Sequence, residues 1–200
     1  KAAIDQEFAP AMSDYATRLF QGDDEKGTNK NPKAAMEMFT KAAEKGNAAA
    51  NRQLGVIYET GVGEQTKSID KAFEHYMLAA RGSDGVAQLW MGNVTQNGLV
   101  KDAAAAKITA AQKEGKKPDI KAEDVLVAPN PAQALSWYRL AAQNNLPQAI
   151  FNVGVFYING DVVAKDTEQA VLWYRRAAEA GHAEAQIKLG WVAPGVPSPL

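Results

Sequence analysis

The stretch from Ala149 to Gly181, AIFNVGVFYINGDVVAKDTEQAVLWYRRAAEAG, decides the fold of this chain. Its first half places apolar residues at helical spacing and ends at Gly160, a residue type that stops helices in the left-handed conformation. Its second half starts at Asp166, a helix-capping residue type, and carries Trp173-Tyr174 followed by Ala177-Ala178. The stretch therefore predicts a hairpin of two short helices joined by a loop.

The hairpin pattern recurs along the chain in a fixed register. An aromatic-rich pair precedes an alanine pair at Met38-Phe39, His75-Tyr76, Trp137-Tyr138 and Trp173-Tyr174. In a second pattern an Ala is followed, after three free positions, by a large residue. This pattern precedes each pair, at Tyr15, Leu54, Met91 and Val153, and recurs after the last pair at Leu189. These large residues lie 39, 37, 62 and 36 residues apart, so the third unit holds an insertion. One hairpin cannot cover its own apolar face, so we expect stacked copies that share a core.

Composition limits the chemistry that the chain can perform. The 200 residues include 22 basic and 23 acidic side chains and no cysteine. This balance argues against a nucleic-acid partner, no apolar run approaches the roughly 20 residues of a membrane span, and disulfides and thiol nucleophiles are excluded. Thirty-seven alanines favour an all-α chain. Because the chain opens at Lys1, we expect a mature or trimmed form, in the periplasm in preference to the cytoplasm.

These hairpins resemble the Sel1-like repeat, a relative of the tetratricopeptide repeat, over about Ala11 to Trp191. The resemblance implies an all-α, right-handed α-solenoid of about four hairpins plus a partial fifth. We expect a single repeat domain over residues 1–200. Its repeats should lie near 9–46, 47–83, 84–145, 146–181 and 182–193, with an insertion at 99–130 and a tail at 194–200. Repeat one departs from the pattern with Ala16 in place of Gly, and repeat two with His75 in the Trp position.

Most signature residues are expected to be scaffold. Trp173 should be wedged between neighbouring hairpins, so that Trp173→Ala costs about 3–5 kcal/mol. Asp166 should cap the second helix of repeat four, and Asp70 should do the same in repeat two. The glycines that should bring two helices into backbone contact are Gly55, Gly92, Gly154 and Gly190.

A second face of the first helices is predicted to bind a partner. On a helical wheel, Leu54 and Tyr58 share one side with Ala50, and Arg52, Val56 and Glu59 share the other. Because the resemblance places first helices on the concave side, these offsets should line one groove. Its predicted residues are Arg52, Val56, Glu59, Leu89, Asn93, Gln96, Phe151, Val155, Ile158, Asn159 and Trp191. Mixed amide and apolar side chains suit a protein or peptide segment. The alternative is that Phe151 and Ile158 pack against neighbouring helices.

The insertion is predicted to begin with a helix from Asp102 to Glu114, capped by Asp102 and stopped at Gly115. The remaining residues, up to Asn130, resemble a loop. Six lysines between Lys101 and Lys121 make the segment locally basic. It is therefore either a binding arm for an acidic protein surface or a solvated helix that covers a lateral gap. If the insertion is a binding arm, its removal should lower the free energy of unfolding by on the order of 1 kcal/mol.

No set of residues points to catalysis, a metal or a cofactor. His75 and His182 fall in different parts of the repeat, and the sequence contains no nucleophile motif, P-loop or dinucleotide fingerprint. The primary prediction is a monomeric, non-catalytic scaffold that binds a protein or peptide. The resemblance implies a bacterial setting and one alternative, an immunity protein that neutralises a secreted lipase-type effector. An enzyme, or a carbohydrate- or cell-wall-binding protein, is the remaining class.

Overall fold

The computed structural model of the chain describes residues 8–22, 30–62 and 66–190. In this part the α-helices are α1 Ala9–Gln21, α2 Pro32–Glu44, α3 Ala48–Thr60, α4 Ile69–Arg81, α5 Gly85–Asn97, α6 Asp102–Lys113, α7 Pro131–Gln143, α8 Pro147–Asn159, α9 Thr167–Glu179 and α10 Ala183–Lys188. All but α6 and α10 have 13 residues. The all-α class predicted from the sequence is confirmed.

The chain forms two compact units, and each contains its own hairpins. The first comprises Lys1–Ala87 and Gly98–Ala128, and the second comprises Gln88–Asn97 and Pro129–Leu200. In the first unit, Phe39, Leu54 and Ile57 belong to a buried core, and the ring of Phe20 meets Phe39 edge-on at 6.5 Å between centroids. In the second, buried clusters gather around Tyr138 and Tyr174. The single domain over residues 1–200 stays a prediction.

Each hairpin is closed by the same backbone hydrogen bond. The residue that caps the second helix donates its N–H to a carbonyl in the last turns of the first helix. These bonds are Asn31 to Leu19 (2.6 Å), Ser68 to Tyr58 (2.8 Å), Asn130 to Thr95 (2.7 Å) and Asp166 to Tyr157 (2.9 Å). The side chains of these four residues also accept a backbone N–H of their own helix, so Asp166 is a cap as predicted. In repeat two the cap is Ser68 and not Asp70.

In the described hairpins, a residue with positive φ follows each of the two helices. Gly22, Gly61, Gly98 and Gly160, each at the end of a first helix, have φ between 74° and 83°. Seven residues after the buried aromatic of each second helix, the positions Gly46, Ser83, Asn145 and Gly181 also have positive φ. The glycine stops were predicted from the sequence; the second set was missed, because Ser and Asn stand where glycine is the usual signal.

The insertion contains more structure than predicted. Strand β1 Leu99–Val100 pairs antiparallel with β2 Val125–Val127, where the sequence was interpreted as loop. A 3-10 turn, Ala122–Asp124, precedes β2, and Lys107 contacts both carboxylate oxygens of Asp124 at 2.8 and 2.9 Å. The β-branched valines favour this short ribbon once the two segments meet.

Asp102 ties the insertion to the first unit. It is the first residue of α6, and the prediction that it caps that helix is wrong, because Lys101 holds the cap position. Its carboxylate instead accepts hydrogen bonds from the N–H of Ile69 (2.8 Å), the hydroxyl of Ser68 (2.8 Å) and the N–H of Asp70 (3.3 Å). Burial raises the pKa of Asp102, but these hydrogen bonds outweigh it and hold the pKa below its ordinary value. Asp102 is thus a cap supplied to α4 from a distant segment.

Replacing Asp102 by Ala is expected to destabilise the first unit by about 1–2 kcal/mol, since the N-terminus of α4 loses three hydrogen bonds. A carboxyl whose pKa is lowered in the folded state stabilises it above the ordinary Asp pKa and loses that effect as the pH falls through the folded-state value. Denaturant titrations of wild type and variant should therefore differ at neutral pH and converge in acid. Asp119→Ala, at an exposed position in the same insertion, is the control. An equal effect of both changes would contradict this assignment.

Candidate protein-binding face

The glycines of the first helices accept tyrosine rings, and this fixes which side of each helix is open. A Cβ built on Gly55, Gly92 or Gly154 would lie 3.0, 2.5 or 2.8 Å from the ring of Tyr76, Tyr138 or Tyr174, respectively. The predicted backbone-to-backbone contact is therefore wrong at these three positions, because a side-chain ring occupies the space. Gly190 meets no atom within 4 Å and has φ of +60°, so it ends α10 and makes no such contact.

Gly92→Ala is expected to destabilise the protein by about 1–2 kcal/mol. Alanine favours a helix by about 1 kcal/mol over glycine, but overpacking a core costs about 1–3 kcal/mol. The second effect should win here because the ring of Tyr138 is fully buried and cannot move aside. In a Tyr138→Leu background the same change should be neutral or stabilising, so a double-mutant cycle by urea unfolding isolates the contact. Additive effects would show that Gly92 and Tyr138 do not compete for space.

One set of predicted groove residues forms hydrogen bonds with the hydroxyl groups of these tyrosines. The hydroxyl of Tyr76 donates to Glu59 Oε2 at 2.8 Å. The hydroxyl of Tyr138 lies 2.7 Å from Gln96 Oε1 and 2.9 Å from Asn93 Oδ1, and its single hydrogen serves one of them at a time. Burial raises the pKa of Tyr138 to about 12, so this hydroxyl stays protonated. Glu59 and Gln96 thus position core rings as well as face solvent.

A second set contacts the residue that caps the following first helix. Arg52 Nε pairs with Asp84 Oδ2 at 3.0 Å, and Asp84 also accepts the N–H of Ala87. Phe151 stacks on His182 with 4.4 Å between ring centroids and is only 5% exposed. The structure therefore places Phe151 in the core and not on an open surface, because the next helix begins over its ring. Leu89 and Ile158 are half-buried and pack against the same cluster.

What remains open on the second unit is a face formed by α5 and α8. Asn93, Gln96 and Asn159 are exposed, and Val155 is half-buried between the core and solvent. Asn97, one turn beyond Asn93, is also exposed. We call Asn93, Gln96, Asn97, Val155 and Asn159 the amide face. In the first unit Val56 is half-buried at the equivalent offset. Trp191 lies outside the described residues.

The two histidines serve structure. His75 stacks on Tyr58, with 5.5 Å between ring centroids, and its Nδ1 lies 3.0 Å from Oδ1 of the buried Asn51. Because the Asn51 amide nitrogen donates to the carbonyls of Asn47 and Ala43, its oxygen must accept, so His75 Nδ1 carries the hydrogen. Burial lowers the pKa of His75 and favours this neutral form. His182 accepts the N–H of Ala185 and caps α10.

Trp173 is less buried than predicted. It packs against both core clusters of the second unit on one side, and the guanidinium of Arg176 lies 5.5 Å from its ring centroid on the other. The deeply buried position next to Gly154 belongs to Tyr174. We therefore expect Trp173→Ala to cost less than the 3–5 kcal/mol predicted from the sequence.

The described residues offer no further chemistry at this face. None of them forms a group of three or more His, Asp or Glu side chains that could hold a metal ion. None of the helices in this part of the chain has the length and apolar character that crossing a membrane requires. The five residues of the amide face include no nucleophile beside a base.

A chain of two-helix hairpins with this spacing and this glycine–tyrosine contact is an α-helical repeat protein. The family model described as the Sel1 repeat matches residues 9–47, 48–84, 124–146 and 147–182. The chain belongs to the Sel1 repeat family. The third match is short because the insertion separates the two helices of that repeat.

The chain is also similar to solved structures. A Sel1 repeat protein from Oxalobacter formigenes is 30% identical, with a TM-score of 0.70 over 92% of this chain and 62% of that one. This chain thus spans less than two thirds of that protein. A protective antigen from uropathogenic Escherichia coli strains that displays an SLR fold is 27% identical, with a TM-score of 0.48 over 94% of this chain and 42% of that one. An immunity protein from Pseudomonas aeruginosa is 18% identical, with a TM-score of 0.40 over 88% and 67%. No curated protein matches the chain at a significant level. Sel1 repeats are generally non-catalytic and mediate protein interactions.

Proposed function

We propose that this chain is a non-catalytic scaffold that binds a partner protein through the open face of its first helices. The observation that carries the proposal is the amide face on α5 and α8. The side chains of Asn97 and Asn159 are exposed and have no hydrogen-bond partner among the described residues. Val155 lies within the same offset pattern and is half-buried.

This combination supports a protein partner over other ligand classes. Amide side chains offer both donors and acceptors without the desolvation cost of a charge, and an apolar residue supplies area that a partner can cover. A phosphate or nucleic-acid ligand would be favoured by arginines and lysines, and at this face the amides stand in their place. The chemistry needed for hydrolysis, a base within reach of a nucleophile, is also missing from the amide face.

Site-specific photo-crosslinking tests the proposal in cells that make the protein. A photoreactive phenylalanine analogue at Asn159 should give a covalent adduct with a partner protein. The same analogue at Glu179, which is exposed at the end of α9, is the matched control and should give none. Asn97→Asp together with Val155→Ser should reduce the adduct while the protein stays folded, with Val155→Ser costing about 1 kcal/mol of stability. Equal adducts at both positions, or none at either, would contradict the proposal.

The role of immunity protein stays a narrower prediction that comes from the family resemblance. It requires that the adduct at Asn159 contain a secreted effector enzyme. Mass spectrometry of the adduct decides between this role and a general adaptor. Activity of the purified effector with and without this chain then measures neutralisation directly.

A further inference from the structure

The side of α9 that faces away from the core of the second unit carries an exposed leucine. Leu172 is 53% exposed. On a helical wheel at about 100° per residue, the buried Ala170 and Tyr174 lie about 160° from Leu172. Val171 and Trp173, at about 100° on either side, are half-buried. Leu172 therefore marks the centre of the outer side of α9, with apolar residues at both borders.

Two shallow depressions run along α9, one on each side of Leu172. Glu168, Leu172 and Arg176 are four residues apart and form one row of side chains along the helix, which we call the leucine row. Each depression lies between the leucine row and the next row of side chains, which is Gln169 and Trp173 on one side and Thr167 and Val171 on the other. A ridge between two grooves is the surface with which helices pack on one another.

The leucine row has opposite charges at its two ends. Glu168 and Arg176 are exposed, one turn before and one turn after Leu172, and Glu168 has no partner among the described residues. Arg176 donates from Nη2 to Ala142 O at 2.7 Å and to Asn145 Oδ1 at 3.0 Å. These bonds hold the guanidinium in place and leave its Nε and Nη1 hydrogens for a carboxylate.

A row with this order of charges is complementary to a second copy of itself. In an antiparallel pair, a two-fold axis at Leu172 places Glu168 of each copy beside Arg176 of the other. Two such rows run alongside one another when the helices cross at about −50°, the commonest class of helix packing. Because crossed helices diverge away from their contact, Glu179 lies beyond it, so the crosslinking control at that position keeps its meaning.

The same charges argue against other partners for α9. Its exposed charged residues are two acidic and two basic ones, namely Glu168, Arg175, Arg176 and Glu179. A nucleic acid or an anionic lipid surface would be favoured by an excess of basic residues. An unrelated protein would need a matching order of charges, whereas a second copy supplies that order by symmetry.

We propose that two copies of this chain associate through the outer sides of their α9 helices, with the leucine row of each copy packed in the groove beside Trp173 of the other. Both Leu172 side chains then leave water, and two ion pairs between Glu168 and Arg176 lie at the ends of the contact. One helix per copy covers less than the roughly 1,200 Å² of a stable interface, so the dimer is weak and dissociates on dilution. This inference is independent of the proposed function, because the amide face lies on α5 and α8.

Sedimentation velocity of the purified chain, from about 10 µM to about 1 mM, tests the association over the range of a weak interface. The wild type should change from monomer to dimer across this range. Leu172→Gln should raise the dissociation constant at least about tenfold, because the apolar centre of the contact is lost. Leu78→Gln is the matched control, since Leu78 is 51% exposed on α4 of the first unit, and it should leave the dissociation constant unchanged.

Charge reversal tests the antiparallel register. Glu168→Arg or Arg176→Glu alone should weaken self-association about tenfold, because like charges then meet twice in each dimer. An equimolar mixture of these two variants should form a heterodimer as readily as the wild type forms its dimer, because every contact again joins Arg to Glu. Circular dichroism checks that each variant is folded, and recovery in the mixture separates a lost ion pair from a damaged fold.

Three results would overturn the proposal. A wild-type chain that stays monomeric at the highest concentration would leave α9 to a different protein. A dimer that survives Leu172→Gln, or that Leu78→Gln weakens equally, would use another surface. Two folded charge variants that fail to form a heterodimer would contradict the register. If Arg176→Glu did not fold, Leu172→Gln and Glu168→Arg would still decide the proposal.

Discussion

Tyr138→Ala is expected to destabilise the protein by about 3–5 kcal/mol, the usual cost of truncating a fully buried aromatic. The ring of Tyr138 is 1% exposed, fills the space left by Gly92, and meets Phe156 at 6.1 Å between centroids. Its hydroxyl also orients the amides of Asn93 and Gln96. The variant should therefore lower the urea midpoint of unfolding and disorder one part of the amide face.

Two companion variants separate these effects. Tyr138→Phe keeps the ring and removes the hydroxyl, so it should cost about 0.5–1.5 kcal/mol and still weaken partner binding through the freed amides. Trp173→Ala is the matched aromatic truncation at a half-buried site and should cost about 1–3 kcal/mol. If Trp173→Ala proved more costly than Tyr138→Ala, the assignment of the tyrosine as the central core residue would be wrong.

The sequence could predict the hairpins because their signals are local. Helix ends depend on a glycine such as Gly61 or a cap such as Asp166, and the spacing between copies shows the repeat. It could not predict which aromatic of a pair is buried. Trp173 and Tyr174 are adjacent, about 100° apart on the helix, and Gly154 of the neighbouring helix meets the ring of Tyr174 but only the Cβ of Trp173.

Non-local pairing accounts for the features that were missed in the insertion. Val125–Val127 becomes a strand only because Leu99 and Val100 lie beside it, and these segments are separated by α6 in the sequence. Asp102 likewise has the composition of a local cap, yet its three hydrogen bonds go to residues 68–70. The insertion is thus part of the first unit, and we expect its deletion to cost more than the mild effect predicted for a detachable arm.

The predicted groove was a set of helical offsets, and the structure divides that set by what each offset contacts. Residues at the offset of Glu59 and Gln96 meet the tyrosine of their own hairpin, and those at the offset of Arg52 and Phe151 meet the next cap. Asn93 and Gln96 remain exposed although they meet a tyrosine hydroxyl, and Asn97, Val155 and Asn159 have neither contact. A wheel cannot make this division because both contacts come from other helices.

Phe151→Ala is the variant that distinguishes the core position from the binding position on α8, and we expect it to cost about 3–5 kcal/mol. The ring of Phe151 is stacked between Tyr174 at 5.1 Å and His182 at 4.4 Å. Its loss would leave a cavity under the start of α10 and release the cap that His182 provides. Val155→Ser, one turn along the same helix, should cost about 1 kcal/mol, because Val155 is only half-buried, and should reduce partner crosslinking at Asn159. Thermal unfolding measures the first effect and crosslinking yield the second. The Phe151→Ala protein could instead have the melting temperature of the wild type and no longer give the adduct. Phe151 would then belong to the binding surface and not to the core.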